Sequence, residues 1–418
     1  MADLLRLHTQ DLTDMMAELE RNDSQDFQTV YNLAAAGNVY SLNEQELGPL
    51  RRKGTVFSRN KWASPVLTND IPLATLLHPN QIRRILINEI GTENPSHFFP
   101  SRGHPEDDGR AIVELLNNVA NPHYSKPGSI LHMHSPSFER LCQYKTEWPS
   151  DGMLDVSDVA MAVTPATDAQ DMEYCDRYIL STLLSGSKVW LTYPPLDANL
   201  AALQAEFEAT VDNAARHTLD NLSRFQHGIA FTQRAGQILV LPPFWIAVNL
   251  TTQTSVSCAY HIATAALFPE RIKNINSFLV TTQLSPQEAD YGQQRLVTFA
   301  IEFIEHLRLV LADDFPHYNN SKVILAVCRA YDQLRAGLRR VLDAIDDKAV
   351  MRGLENTYRV AWLSFLEQKR KKMSTCRLCN LRTQDMPVGE FPMDRLRQHF
   401  IDVHCLRGAP PVQSNAHM

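Results

Sequence analysis

Cys376 and Cys379 are separated by two residues, and His399 and His404 by four. Thiolate sulfur and imidazole nitrogen are the donors that Zn²⁺ prefers, and four of them converging tetrahedrally make a closed structural site. The segment MDRLRQHFIDVH reads as a helix, which sets the two imidazoles about one turn apart. Leu396, three residues before His399, supplies the apolar contact such a small site needs beneath the metal. Cys405, beside His404, is an alternative fourth ligand. Two further groups carry ligand chemistry. Asp171, Glu173 and Asp176 form an acidic cluster suited to a loosely held hard cation. His132 and His134, with Ser135 beside them, would share one side of a strand. The chain has no phosphate-binding glycine loop, no G-x-S-x-G elbow and no H-E-x-x-H helix.

The C-terminal cluster resembles a C2H2 zinc finger. It departs from that pattern in length, because 19 residues separate Cys379 from His399 where about 12 is usual. The extra residues, with Pro387 and Gly389, read as a loop that alters the usual DNA-docking geometry. Residues 369–408 carry nine basic side chains against four acidic ones, a local +5 that leaves the remainder of the chain near -12. That asymmetry suits phosphate contact, and KRKK at 369–372 reads as a nuclear-import signal or as a cap for the helix before it. A single finger reads only about 3 base pairs, so a protein partner fits this segment as well as nucleic acid does.

A second resemblance lies in the middle of the chain. DMEYCDRYILSTLLSGSKVWLTYPP and AGQILVLPPFWIAVNLTTQTSVSCAYH contain G-x-K-x-W-x-x-x-P-P from Gly186 to Pro195 and A-G-x-x-x-x-x-P-x-x-W-I from Ala235 to Ile246. Residues 155–265 are similar to the JmjC domain, the double-stranded β-helix of iron(II)/2-oxoglutarate oxygenases that includes histone lysine demethylases. The resemblance implies Fe²⁺ and 2-oxoglutarate as cofactors, with Lys188 pairing the far carboxylate of 2-oxoglutarate. It also implies an H-x-D or H-x-E pair and a later histidine as a facial triad on iron. Counting back about 17 residues from Lys188, the demethylase-like spacing, lands on Asp171 and Glu173, so the carboxylate matches and the histidine does not. In the shorter register the pair is Glu173 and Cys175. The second histidine is replaced at Ala247 or lost by a one-residue deletion, and His261, 14 residues later, is a poor substitute. These positions describe a JmjC-like barrel without its iron ligands.

The elements that must position these groups follow from hydrophobic period. Met15, Met16 and Leu19, and then IRRILI after Pro79, recur at helical spacing, so residues 1–95 are expected to be mainly helical. Short alternating strands (DVAMAV, KVWLTYPP, QILVLPP, TSVSCAY) broken by Gly and Pro place a barrel over 96–266. Phe299, Phe303, Ile304 and Leu307, then Val327, Tyr331, Leu334, Leu338, Val341 and Ile345, make amphipathic stripes over 267–372. The finger occupies 373–408 and a flexible tail 409–418. The expected class is α+β, a double-stranded β-helix flanked by N-terminal helices and a C-terminal helical region with a small zinc finger.

Composition bounds the function. At 44% hydrophobic and 21% charged over 418 residues, the chain has material for a packed core and is neither disordered nor a disulfide scaffold. Its formal charge of -7 argues against an overall nucleic-acid coat. Mostly scattered cysteines, no basic leader and no run of 18 apolar residues point to an intracellular protein, nuclear or cytoplasmic, that is neither secreted nor membrane-spanning. The expectation is a non-catalytic JmjC-like binding or scaffold protein on chromatin, with a histone or other protein partner. The alternatives are an iron/2-oxoglutarate oxygenase with a rearranged metal site and a zinc-finger nucleic-acid-binding regulator. The resemblance also implies pairing of two copies through the C-terminal helices.

Overall fold

The computed structural model describes residues 13–21, 24–35, 39–41, 65–68, 77–92, 97–99, 108–121, 130–133, 137–138, 152–157, 159–166, 169, 172–213, 219–283, 289–315, 318–368, 375–386 and 391–406. The chain divides into two compact units, one formed by residues 1–149 and 155–263, the other by 150–154 and 264–418. The class is α+β. Among the described residues, no helix is long and apolar enough to cross a membrane.

The first unit is organised by two long strands, β8 (Tyr178–Tyr193) and β11 (Ile246–Thr264), paired antiparallel at the centre of a sheet that has eleven strands among the described residues. β9 (Gly228–Arg234) and β10 (Ile238–Leu241) pair with β8, while β6 (Ala160–Thr164) and the two-residue β7 (Glu173–Tyr174) pair with β11. β4 (Ile130–Met133) and β3 (His97–Phe99) continue the sheet beyond β6. The sheet does not close on itself among the described residues. Prolines at 194–195 and 242–243 stop β8 and β10, because proline has no N–H for the ladder.

Nearly every residue of β8 is buried, so both of its faces are covered, although Ser181, Thr182, Ser185, Ser187, Lys188 and Thr192 interrupt its apolar residues. On one side, Met161, Val163, Val256 and Cys258 pack with Ile82 and Leu86 of α2 (Pro79–Thr92) and Leu115, Leu116 and Val119 of α3 (Asp108–Ala120). The bend in the central pair is local. β11 is irregular between Thr251 and Ser257, and Gly186 of β8 sits against it with φ +82°. A Cβ at Gly186 would lie 2.4 Å from the Thr254 carbonyl oxygen, so this position of the G-x-K motif requires glycine.

The second unit is helical: α5 (Phe268–Gln283), α6 (Ala289–Ala312), α7 (Ser321–Arg329), α8 (Tyr331–Asp343) and α9 (Lys348–Gln368). Both expected stripes are buried in one cluster. The longer stripe belongs to two helices rather than one, since the chain turns at Ala330 between α7 and α8. Gly337 lets α8 approach α5 closely, for a Cβ there would meet Ile275 Cγ2 at 2.1 Å. After α9, the segment with the cysteines and histidines forms a turn, a 3₁₀ turn over Thr383–Asp385 and α10 (Pro392–His399). Cys376, Met386, Leu396, Phe400 and Leu406 of this segment belong to the same hydrophobic cluster as the helices.

Candidate functional site

Cys376, Cys379, His399 and His404 come together, with their four ligand atoms all within 4.8 Å of one another. Cys376 Sγ lies 3.5 Å from His404 Nε2, and Cys379 Sγ lies 3.2 Å from His399 Nε2. A tetrahedron with metal–sulfur bonds of about 2.3 Å and metal–nitrogen bonds of about 2.0 Å has sulfur–nitrogen edges of about 3.5 Å. The cage is therefore already near metal-binding dimensions. Cys405 is outside this set.

Local structure explains the convergence. Cys376 opens a tight turn in which its N–H donates to the Leu381 carbonyl (2.7 Å) and Asn380 N–H donates back to the Cys376 carbonyl (2.8 Å). Asn380 takes φ +60°, a conformation asparagine tolerates better than most residues. The turn brings the two sulfurs to one side. The histidines need a different device, because residues five apart on an α-helix point about 140° away from each other. Here α10 passes into a π-helical turn over Phe400–His404, whose wider i→i+5 winding returns His404 to the face of His399. The rings stand edge to face with centroids 4.9 Å apart.

Burial and neighbouring charges keep the imidazoles neutral. Burial, then the neighbouring charges of His399 and Arg335, push His404 down to about 4, with Asp332 opposing them. Burial likewise lowers His399. Both imidazoles are thus neutral at pH 7, with lone pairs available for a metal. Burial pushes the Cys376 thiol up to about 11, although N–H groups of Leu378 and Cys379 bond its sulfur and pull the other way. Two thiolates packed together need a nearby positive charge, and a divalent cation supplies it. Cys379 is exposed at the edge of a cleft of about 430 Å³ that it shares with Leu381, Arg395, Gln398, His399, Asp402 and Val403.

The acidic positions in the sheet are only partly brought together. Glu173 of β7 lies directly opposite Ala247 of β11, and Ala247 lies opposite Thr192 of β8. Directly opposed residues share a face; two residues along from Ala247, Asn249 lies opposite Trp190, and four along, Thr251 lies opposite Lys188. Lys188, Thr192, Gln233, Asn249 and Thr251 are all buried. Trp190 Nε1 donates to Gln233 Oε1 at 2.9 Å. Glu173 is half-buried as a residue while its carboxyl is desolvated: burial raises its pKa and the Lys188 charge partly offsets this. Ala247, which offers no ligand atom, packs with Ile179, Trp190 and Trp245.

The remaining candidates do not join this face. Asp171 and His134 lie outside the described residues. His132 is on β4, opposite His97 and Ala162. Asp176 sits by Arg177, which holds Asp155 at 2.9 Å, and Cys175 is half-buried in the apolar cluster. His261 lies on β11 opposite Ile179, lowered first by burial and then by the Arg177 charge, with Asp176 opposing. Among the described residues, the Cys/His set is the one group of three or more such side chains close enough to share a metal. Two residues not expected at the site touch it: Tyr331, legible in the sequence only as part of a helical stripe, whose hydroxyl donates to the His404 carbonyl, and Arg335, whose Nη1 donates to the Val403 carbonyl at 2.8 Å. No family model and no curated protein matches this chain.

Proposed function

We propose that this chain is a non-catalytic binding or scaffold protein, its sheet a JmjC-like double-stranded β-helix and its C-terminal cage a structural zinc site, working with a protein partner on chromatin. One observation carries the reading. Glu173 and Ala247 are paired across β7 and β11, at positions where the resembled oxygenases hold a carboxylate and the second histidine. The carboxylate is kept, the imidazole is replaced by a methyl group, and the positive charge of Lys188 acts on Glu173. Iron(II) in such enzymes needs two imidazoles beside the carboxylate and open positions for substrate. Glu173 alone does not supply that ligand set.

Zinc is the metal this cage favours, because two thiolates and two neutral imidazoles in tetrahedral array suit Zn²⁺ and leave no open position for catalysis. A nucleic-acid reader is disfavoured by the use of α10. Arg397, a basic residue of this helix, is engaged within the protein, its Nε donating to Glu367 of α9 at 2.6 Å.

The test is turnover by the purified chain with iron(II) and 2-oxoglutarate, followed as succinate release after removal of contaminating oxygenases. No release above a heat-denatured control is expected. Sustained release would overturn the reading in favour of an oxygenase with a rearranged metal site. The double variant Asp171→His/Ala247→His is expected to gain iron binding, and its failure to do so would count against the JmjC correspondence. Binding to duplex DNA that weakens steeply as salt rises would instead support nucleic-acid contact through residues 369–408.

A further inference from the structure

The last carbonyls of a helix have no partner within it. In the ligand helix those groups include the carbonyls of Val403 and His404, and α8 satisfies both. Tyr331, buried, donates its hydroxyl to the His404 carbonyl, and Arg335, one turn further along the same face of α8, donates to the Val403 carbonyl at 2.8 Å. The Tyr331 ring also stands edge-on to the His404 imidazole, with centroids 5.4 Å apart at 88°. The same Tyr331 ring also meets Trp362 of α9, with centroids 5.0 Å apart. A second pair of contacts ties the segment to α9: Arg397 bonds Glu367 at 2.6 Å, and the Arg377 guanidinium lies 5.3 Å from the centre of the Phe365 ring.

Two of the four metal-ligand positions are therefore held from outside the segment that carries them. His404 is fixed at its carbonyl and at its ring by one residue of α8, and Cys376 is buried in the cluster that α8 and α9 share. A free-standing finger would build its core from its own residues. This one borrows the helical unit.

We propose that α8 is a clamp on the metal cage: Tyr331 and Arg335 are positioning residues that hold the π-turn wound so that His404 meets the metal, and metal loading in turn stabilises α8 and α9. The inference rests on the zinc reading above and adds which residues outside the ligand set govern it. Partners that orient ligands change metal affinity by about 10- to 100-fold when removed. Because whatever binds only the folded form stabilises it, the coupling must appear in both directions.

The test uses the full chain and the variants Tyr331→Phe and Arg335→Met, with Arg335→Lys as the conservative replacement. Arg339→Met is the control, since Arg339 is one turn beyond Arg335 on α8 and pairs with Asp343 of the same helix at 3.7 Å. Zinc affinity is read by competition with a chromophoric chelator, ligand geometry by the visible bands of the Co²⁺-loaded form, and folding by thermal melting with and without metal. The expected result is an affinity loss of about 10- to 100-fold in Tyr331→Phe and Arg335→Met, with tetrahedral Co²⁺ bands unchanged in position. Arg335→Lys should recover part of the loss, and the metal-dependent rise in melting temperature should shrink with the affinity. Wild-type affinity in both variants, or an equal loss in Arg339→Met, overturns the clamp and leaves the metal site standing. A wild-type chain that gives no tetrahedral Co²⁺ bands overturns both.

Discussion

At the scale of single residues, the metal cage is poised by burial. His404 titrates near 4, His399 below its ordinary value, and the Cys376 thiol near 11. Metal binding at neutral pH must therefore expel the Cys376 proton but no proton from either imidazole. Zinc affinity, measured by chelator competition at several pH values, should rise at least about tenfold per unit between roughly pH 6 and 9. It should not steepen on acidification through 6.5, where ordinary histidines would begin to compete with the metal. An affinity independent of pH would contradict this. The metal-free chain carries the complementary effect. Between 6.5 and about 4 the unfolded chain gains a proton at His404 that the folded chain refuses, so stability is intact above 6.5 and falls as pH drops through that window. The four ligands could be found from residue type and spacing alone, since C-x-x-C beside two histidines has few other uses. The means of bringing His399 and His404 together could not, because a π-turn has no composition signal. Nor could Tyr331, whose bond to His404 spans 73 residues of sequence.

At the scale of elements, the central pair of the sheet depends on one backbone position. Gly186 has φ +82° and no room for a methyl group against the Thr254 carbonyl. Gly186→Ala is expected to destabilise the first unit by about 2 kcal/mol or more, from left-handed strain together with displacement of β11. Urea denaturation monitored by tryptophan fluorescence would measure it, and an unchanged midpoint would show that the bend is not needed. The glycine was marked by its motif, but its reason was not, because the obstructing carbonyl lies 68 residues away on another strand. Strand positions were partly readable from apolar alternation: Met161 and Val163 are buried with Val159 half-buried, and Val189, Leu191 and Tyr193 are buried, but so are Lys188, Trp190 and Thr192 between them. What alternation could not supply was the pairing. That Ala247 meets Glu173 follows from the register of β7 on β11, which no local pattern encodes. The stripe from Val327 to Ile345 shows the reverse case, where a continuous helical period hides the break at Ala330.

At the scale of the whole molecule, the two units carry two kinds of site. The sheet unit contains buried polar residues, with the Glu173 carboxyl acted on by the Lys188 charge. The helical unit contains a cage whose Cys376 belongs, with the supporting Tyr331, to one hydrophobic cluster. The two sites make separable demands on metal. The direct measurement is the metal content of the purified full-length chain after anaerobic loading with iron(II) and 2-oxoglutarate, compared with Cys376→Ser treated identically. A single zinc ion per chain that is lost in Cys376→Ser, with no iron in either, is the predicted result. Stoichiometric iron retained by both proteins, or no zinc in the unaltered chain, would contradict it.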